Sequence, residues 1–260
     1  MGIPEKRRLE IKKQLKQDES VSVSKLAEKF DVSEITIRRD LNKLEGEGFL
    51  HKVHGGAMSR GLSPESYPVY IEDIEKNIKQ KEKIVKHASS YIEDGQAVII
   101  ESGTTCQELT YHLKEKKNLR IFTASIPIAY ELWKLALNRN DMEVNICGGL
   151  VELKSNTLIG GQATDFFKNI YADIAFIGAV AVSMDKGVIS TNSQLDADVT
   201  RSIAENSKKK ILVVDSSKFK KSAHISALPL NIFSVVVTDR GIDKDSETAL
   251  KKFKINYKLV

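Results

Sequence analysis

The sequence predicts an α/β protein of two unequal parts: a small N-terminal winged helix-turn-helix domain, then a larger α/β domain built on a mostly parallel sheet. Three observations carry this. The first 56 residues show helix-period apolar spacing that ends in a glycine-closed, β-like run. From residue 97 onward, short Val/Ile-rich runs alternate with helical segments. Between them lies a stretch rich in Ser, Gly and Pro with no period, the composition of a connection. The expected boundaries are 1–57 for the first domain, 58–76 for the linker, and 77–260 for the second domain.

The first predicted helix covers 4–18, with Pro4 at its start, where a missing N–H is harmless, and Leu9, Ile11 and Leu15 as its apolar positions. The second covers 23–30, with Ser22 as N-cap and Leu26, Ala27 and Phe30 inward. After the short link Asp31-Val32-Ser33, a third helix runs over 34–47 with Ser33 as its N-cap. Ile37, Leu41 and Leu44 fall at i, i+4 and i+7, one face of that helix. Thr36, Arg38 and Arg39 then point away from this face near the helix start. Two helices joined by so short a turn make a helix-turn-helix, whose second helix enters the major groove. Arginine can grip guanine O6 and N7 or a phosphate, and threonine a phosphate or a thymine methyl. The following run FLHKVHGGA reads as a small wing that places Lys52 and His54 near phosphates. The plainer reading of such a helix pair is a solvated surface; the wing is what favours DNA.

In the larger part, strands are expected at 97–101, 120–124, 143–147, 173–182, 210–214 and 233–239, with helices at 104–113 and 126–137. Near-continuous Val/Ile runs suit parallel strands covered on both faces. Ligands of such sheets bind beyond the strands' carboxyl ends, so the polar residues there are candidates. Ser102, Gly103, Thr104 and Thr105 follow the first strand, Thr123 and Ser125 the second, Gly148 and Gly149 the third, and Lys218 follows the 210–214 run. Taken singly these are helix caps, turns and a surface lysine. Together they suggest a pocket for a small anionic ligand such as a phosphate ester. No GxxxxGK[ST] or GxGxxG occurs, which argues against a nucleotide.

Composition narrows the classes. Net charge is +5, from 40 Lys+Arg against 35 Asp+Glu, so DNA binding must come from the placement of charge. Cys106 and Cys147 cannot build a disulfide framework and suit a reducing compartment. The N-terminus lacks the apolar run of a signal peptide, Lys6 excludes a myristoylation motif, and no apolar stretch suits a membrane span. A cytoplasmic protein with no membrane partner is expected. The five His show no ligand spacing, so no metal and no cofactor are expected. Cys106 has no His neighbour to activate it, Trp133 and Tyr130 read as packing residues, and Lys208 to Lys210 as a solvated helix end.

The segment VSEITIRRDLNKLEGEGFLHKVHGGA resembles the N-terminal signature of the DeoR family of bacterial transcriptional regulators, with Lys52 where the family more often has Arg. Further on, SGTT at 102–105, GG at 148–149, DIAFIGA at 173–179 and DSSKF at 215–219 resemble that family's sensor domain, similar in fold to ribose-5-phosphate isomerase and the coenzyme A transferases. The resemblance implies a repressor of carbohydrate-metabolism genes, with a double-stranded DNA operator and a phosphorylated sugar or similar anionic effector as partners. It assigns DNA contact to Ser33, Thr36, Arg38, Arg39, Lys52 and His54. Ser102 to Thr105 would take the effector's phosphate or hydroxyls, and Lys218 would supply charge. In LDADVTRSI, Asp196 stands where the family often has Glu, and Thr200 where it often has Lys; Asp196 joins the effector set, and Ala124 replaces a frequent Asn. A homo-oligomer, dimer or tetramer, is expected, since paired recognition helices read paired half-sites. The alternative is a sugar-phosphate isomerase or transferase with an appended DNA-binding domain.

Overall fold

The computed structural model describes residues 3–18, 20–47, 49–53, 55–59, 73 and 76–260. The chain divides into two units, Met1–Ile71 and Glu72–Val260. Most of the linker expected at 58–76 lies outside the described residues, as does His54.

The first unit contains α1 (Ile3–Asp18), β1 (Ser20–Ser22), α2 (Val23–Phe30), α3 (Glu34–Gly46), β2 (Leu50–Val53) and β3 (Gly56–Ser59). The strands form an antiparallel sheet in the order β1-β3-β2, the wing. Ile37, Leu41 and Leu44 are buried against Ile11, Leu15 and Leu26, as the α3 spacing requires. Leu9, expected inward, is 42% exposed: it lies about 200° round α1 from Ile11, which sets the buried face. Ser22 precedes α2 as expected, but its side chain does not cap; its Oγ lies 2.8 Å from Ser24 Oγ.

The second unit is built on seven parallel strands: β4 (Ala97–Ile100), β5 (Leu119–Thr123), β6 (Met142–Ile146), β9 (Ala172–Ile177), β12 (Ser207–Val213), β14 (Val235–Thr238) and β15 (Tyr257–Leu259). Their order is β15-β14-β12-β9-β4-β5-β6. From β4 the chain steps outward one way to β6; from β9 it steps the other way to β15. Right-handed crossovers in opposite directions put helices on opposite faces. Accordingly α4 (Ile78–Ala88), α5 (Thr104–Glu108) and α6 (Ile126–Ala136) pack on Val98, Ile100, Ile121 and Phe176. On the other face α7 (Gly161–Lys168), α8 (Gln194–Glu205) and α9 (Lys244–Lys252) pack on Ile99, Ala175, Ile177 and Leu212. Alternate residues of each strand thus feed two separate cores, which is why the strands read as unbroken apolar runs.

Smaller elements complete the unit: the hairpin β7 (Leu150–Glu152) and β8 (Thr157–Ile159), and an antiparallel sheet of β10 (Ala181–Ser183), β11 (Val188–Thr191) and β13 (Ile225–Pro229). The helix expected over 104–113 is α5 followed by a 3-10 turn, Leu109–His112.

Two further expectations fail. Lys208 to Lys210 do not end a helix. They lie in β12, with Lys209 and Lys210 opposite Ile174 and Ala175 of β9, where ladder pairing overrides a poor strand composition. Tyr130 and Trp133 do not pack inward; they are 55% and 53% exposed and stack on each other.

Candidate functional site

In the first unit, Ser33 caps α3: its Oγ accepts from the Thr36 N–H at 3.3 Å and lies 3.0 Å from Thr36 Oγ1. Arg38 and Arg39 are exposed on the side opposite the core, and Arg38 is held by Glu34 at 3.3 Å, one turn earlier. Exposed pairs of this kind are worth little, so the pair costs little to break. Two features were not foreseen. Ile35 is 64% exposed in the first turn of α3, off the Ile37/Leu41/Leu44 register, and offers an apolar contact. Asp40 is buried on the inner face and accepts from Arg7 at 2.5 Å and Arg8 at 2.9 Å, tying α1 to α3.

The wing is anchored to the end of α3. The Lys52 N–H donates to Glu45 Oε1 at 2.9 Å and its ammonium lies 3.4 Å from Oε2. The backbone bond from Lys52 holds the Glu45 carboxyl below its ordinary range. The Gly55-Gly56 pair has a steric cause: Gly55 is left-handed (φ +80°), and a Cβ on Gly56 would stand 2.2 Å from the Val21 carbonyl oxygen.

In the second unit the strand order reverses between β4 and β9, and the crevice beyond that point is where such sheets take ligands. Glu101, at the end of β4, spans it. Its Oε2 accepts from the Gly178 N–H at 3.0 Å, and Thr200 Oγ1 of α8 lies 2.5 Å from Oε1 and 3.1 Å from the Asp196 carbonyl oxygen. Burial, then the charge of Asp196, pushes the Glu101 carboxyl up to about 8, against the bonds from Thr200 and Gly178. The neutral form satisfies every atom: Glu101 donates to Thr200, and Thr200 donates to the Asp196 carbonyl. Asp196 itself is raised chiefly by burial, with Thr191 Oγ1 donating to Oδ2 at 2.5 Å. Ser102, Gly103 and Thr104 are at least partly exposed along the rim, while Thr105 is buried. Cys106 is fully buried with its thiol far above the ordinary range because of that burial, and burial raises Cys147 to about 11.

Lys218 stands beyond β12, two strands away. Its Nζ lies 3.5 Å from Asp73, which also pairs with Lys221 at 4.0 Å. Lys81 of α4 is only 2% exposed, and its Nζ donates to the Asp73 carbonyl. Burial lowers the Lys81 ammonium, opposed by Asp215 and Asp73. Asp215 accepts from Ser217 and from Asn77 Nδ2 at 2.9 Å. Three lysines thus meet Asp73 and Asp215, with Glu108 also acting on Lys81, a dense cluster of opposite charges. Lys81 was not foreseen; its signal is a charge on the buried register Lys81, Ile84, Val85 and Ala88 of an otherwise regular helix.

The remaining loops lie elsewhere. Thr123 is fully buried and its Oγ1 accepts from the Ser125 N–H; Ser125 caps α6. Gly148 follows β6, and Gly149 (φ +143°) abuts the Ile159 carbonyl, where a Cβ would stand 2.7 Å away. The ends of β6 and β12 are four strands apart, about 19 Å at the usual spacing. One small ligand therefore does not span the whole set. Glu101 to Thr104 and Asp196 share the switch point; the lysines stand two strands to one side of it, and Thr123 and Ser125 one strand to the other. Asp198 pairs with Arg201 at 2.7 Å.

Residues 7–61 match the family model described as a DeoR-like helix-turn-helix domain, and residues 76–240 that of the DeoR C terminal sensor domain. A putative aga operon transcriptional repressor of Escherichia coli O157:H7 is 31% identical over 255 residues, 98% of this chain and 93% of its own. The lactose phosphotransferase system repressor of Lactococcus lactis subsp. lactis is 31% identical over 241 residues, 91% of this chain and 92% of its own. Among solved structures, a D-ribose-5-phosphate isomerase in complex with phospho-erythronic acid is 14% identical with a TM-score of 0.40, over 55% of this chain and 54% of its own.

Proposed function

The chain belongs to the DeoR family of transcriptional regulators, and we propose that it represses carbohydrate-metabolism genes until a phosphorylated sugar or related metabolite occupies the crevice of the second unit. In the first unit, α3 reads the major groove through Ser33, Thr36, Arg38 and Arg39, with Ile35 against a thymine methyl and Lys52 on a phosphate. His54 belongs to the same proposed wing contact.

The observation that carries the sensing role is the pairing of a lysine cluster (Lys81, Lys218 and Lys221, beside Asp73, Asp215 and Glu108) with a hydroxyl-and-carboxyl crevice two strands away. Two strand spacings are about 10 Å, a span that one phosphorylated sugar bridges. The lysines take the phosphate; Ser102, Thr104 and Asp196 take hydroxyls. Thr123, Ser125, Gly148 and Gly149 support the neighbouring loops. The effector must favour one state over another in order to regulate. We read the protein as a cytoplasmic homo-oligomer assembled through its second unit, so that two recognition helices meet half-sites about 34 Å apart.

The test is a titration of phosphorylated sugars against the protein–operator complex. One of them is expected to change operator affinity at least fivefold, in keeping with ordinary coupling free energies. If none alters operator affinity or melting temperature, the sensing role fails.

A further inference from the structure

α6 carries two apolar faces. Ile128 and Leu132 lie in the core. Ile126, Tyr130, Trp133 and Leu137 recur at i, i+4, i+7 and i+11, a second stripe, and are 40, 55, 53 and 59% exposed. A helix covering one sheet face needs only one such stripe. The second continues onto the β7–β8 hairpin, which is fastened to the start of α6: the Ile126 N–H donates to the Asn156 carbonyl at 3.0 Å, and Ser125 bridges Thr157. There Leu150, Val151 and Leu153 are 64, 42 and 60% exposed. The adjoining strand β6 is the edge of the seven-stranded sheet.

We propose that this face joins two copies of the chain about a two-fold axis. It rests on the reading of the protein as a homo-oligomer and adds where the copies meet. Area is the first argument. Seven side chains exposing about 100 Å² each come to roughly 700 Å², beyond the ~300–600 Å² patch of an ordinary monomer and close to the ~800 Å² per partner of a stable interface. Composition is the second. Tyr130 and Trp133 stack with centroids 5.8 Å apart and planes at 29°, a rigid aromatic centre ringed by aliphatic side chains, as interface anchors are. Charge is the third. Glu131 and Lys134 pair with each other at 2.7 Å, and the Lys134 ammonium lies 4.8 Å above the Tyr130 ring. The stripe therefore neutralises its own charges and asks for no oppositely charged partner. A two-fold axis, which sets each patch against its own copy, meets that requirement.

Trp133 is the sole tryptophan, so its emission reports on this face alone. In sedimentation equilibrium the full-length protein is expected to be a dimer or larger, and dilution is expected to red-shift Trp133 emission in step with dissociation. Trp133→Glu on the helix and Leu150→Lys on the hairpin should each raise the dissociation constant roughly 30-fold or more, the loss expected at interface anchors. Circular dichroism should show both variants folded; if one is not, the other variant and the wild-type dilution curve decide. An oligomer whose Trp133 emission ignores dissociation, or folded variants that associate like the wild type, would overturn the face and leave the homo-oligomer reading standing. A wild type that is monomeric at every concentration overturns both, including the case in which a different protein covers the face.

Discussion

Glu101→Gln should remove a pH dependence of stability built into the switch-point crevice. The Glu101 carboxyl titrates near 8 in the folded protein against an ordinary 4.5. Between those values the unfolded chain has released this proton and the folded chain has kept it. The folded state binds one more proton, so its stability falls as pH rises, by about 1.4 kcal/mol per pH unit and on the order of 5 kcal/mol across the window. The contribution is fully present below 4.5 and lost as pH rises through 8. Glutamine keeps the bonding pattern, since its amide donates to Thr200 Oγ1 and its carbonyl accepts from Gly178, and it does not titrate. Groups other than Asp196, whose charge couples to Glu101, are common to both proteins, and their contributions largely cancel in the difference. From pH 5 to 8 the variant should gain on the wild type by about 1.4 kcal/mol per unit, or ~3–6 °C in Tm for a domain of this size, and the gain should level off above 8. Thermal unfolding followed by far-ultraviolet circular dichroism reads this. Parallel pH profiles for the two proteins would refute the assignment of a neutral buried carboxyl.

Other outcomes follow from the same geometry. Arg38→Ala combined with Arg39→Ala should abolish operator binding at physiological salt while the second unit melts unchanged; each lost phosphate contact should also lower the salt slope by about 1, and an unaltered affinity would remove α3 as the reading helix. Asp40→Ala strips Arg7 and Arg8, 10% and 16% exposed, of their shared carboxylate, and should destabilise the first unit by about 3 kcal/mol in denaturant unfolding; a change below about 0.5 kcal/mol would mean that solvent already compensates the pair. Lys81→Met keeps the apolar stem but removes the ammonium. It should weaken phosphorylated sugars at least tenfold in calorimetry and leave effector-free operator binding intact, whereas equal loss for unphosphorylated sugars would place the phosphate elsewhere.

Local periodicity made the helix-turn-helix legible, because Ile37, Leu41 and Leu44 meet their partners within one small unit. The parallel sheet was legible because strands covered on both faces need apolar residues at every position. Contacts across long separations were not. Glu101 bonds to Gly178 and Thr200, 77 and 99 residues away, and no local pattern announces either. Asp40 and Lys81 show only as charges on buried registers, and their partners come from other elements. The Lys208–Lys210 run misled because pairing with β9, not composition, decides its conformation. Tyr130 and Trp133 misled for a different reason: a helical apolar stripe has the same spacing whether it faces a core or a second chain.

The alternative reading, a sugar-phosphate isomerase with an appended DNA-binding domain, is tested by its chemistry. Proton abstraction beside a carbonyl needs an ionised carboxylate, or another base, within hydrogen-bond reach of the carbon acid. Glu101 is the carboxyl best placed at the switch point, yet it is neutral up to about pH 8, with Oε2 on the Gly178 N–H and Oε1 on Thr200. Asp196 is largely buried, and its Oδ2 is held by Thr191. Glu101 is thus held protonated, and one oxygen of Asp196 is taken by Thr191. Purified protein should therefore not interconvert ribose 5-phosphate and its ketose at pH 7 above the uncatalysed rate. Steady turnover that vanishes with Glu101→Gln would show that the carboxyl is ionised and facing substrate, and would make the protein an enzyme with an appended DNA-binding unit.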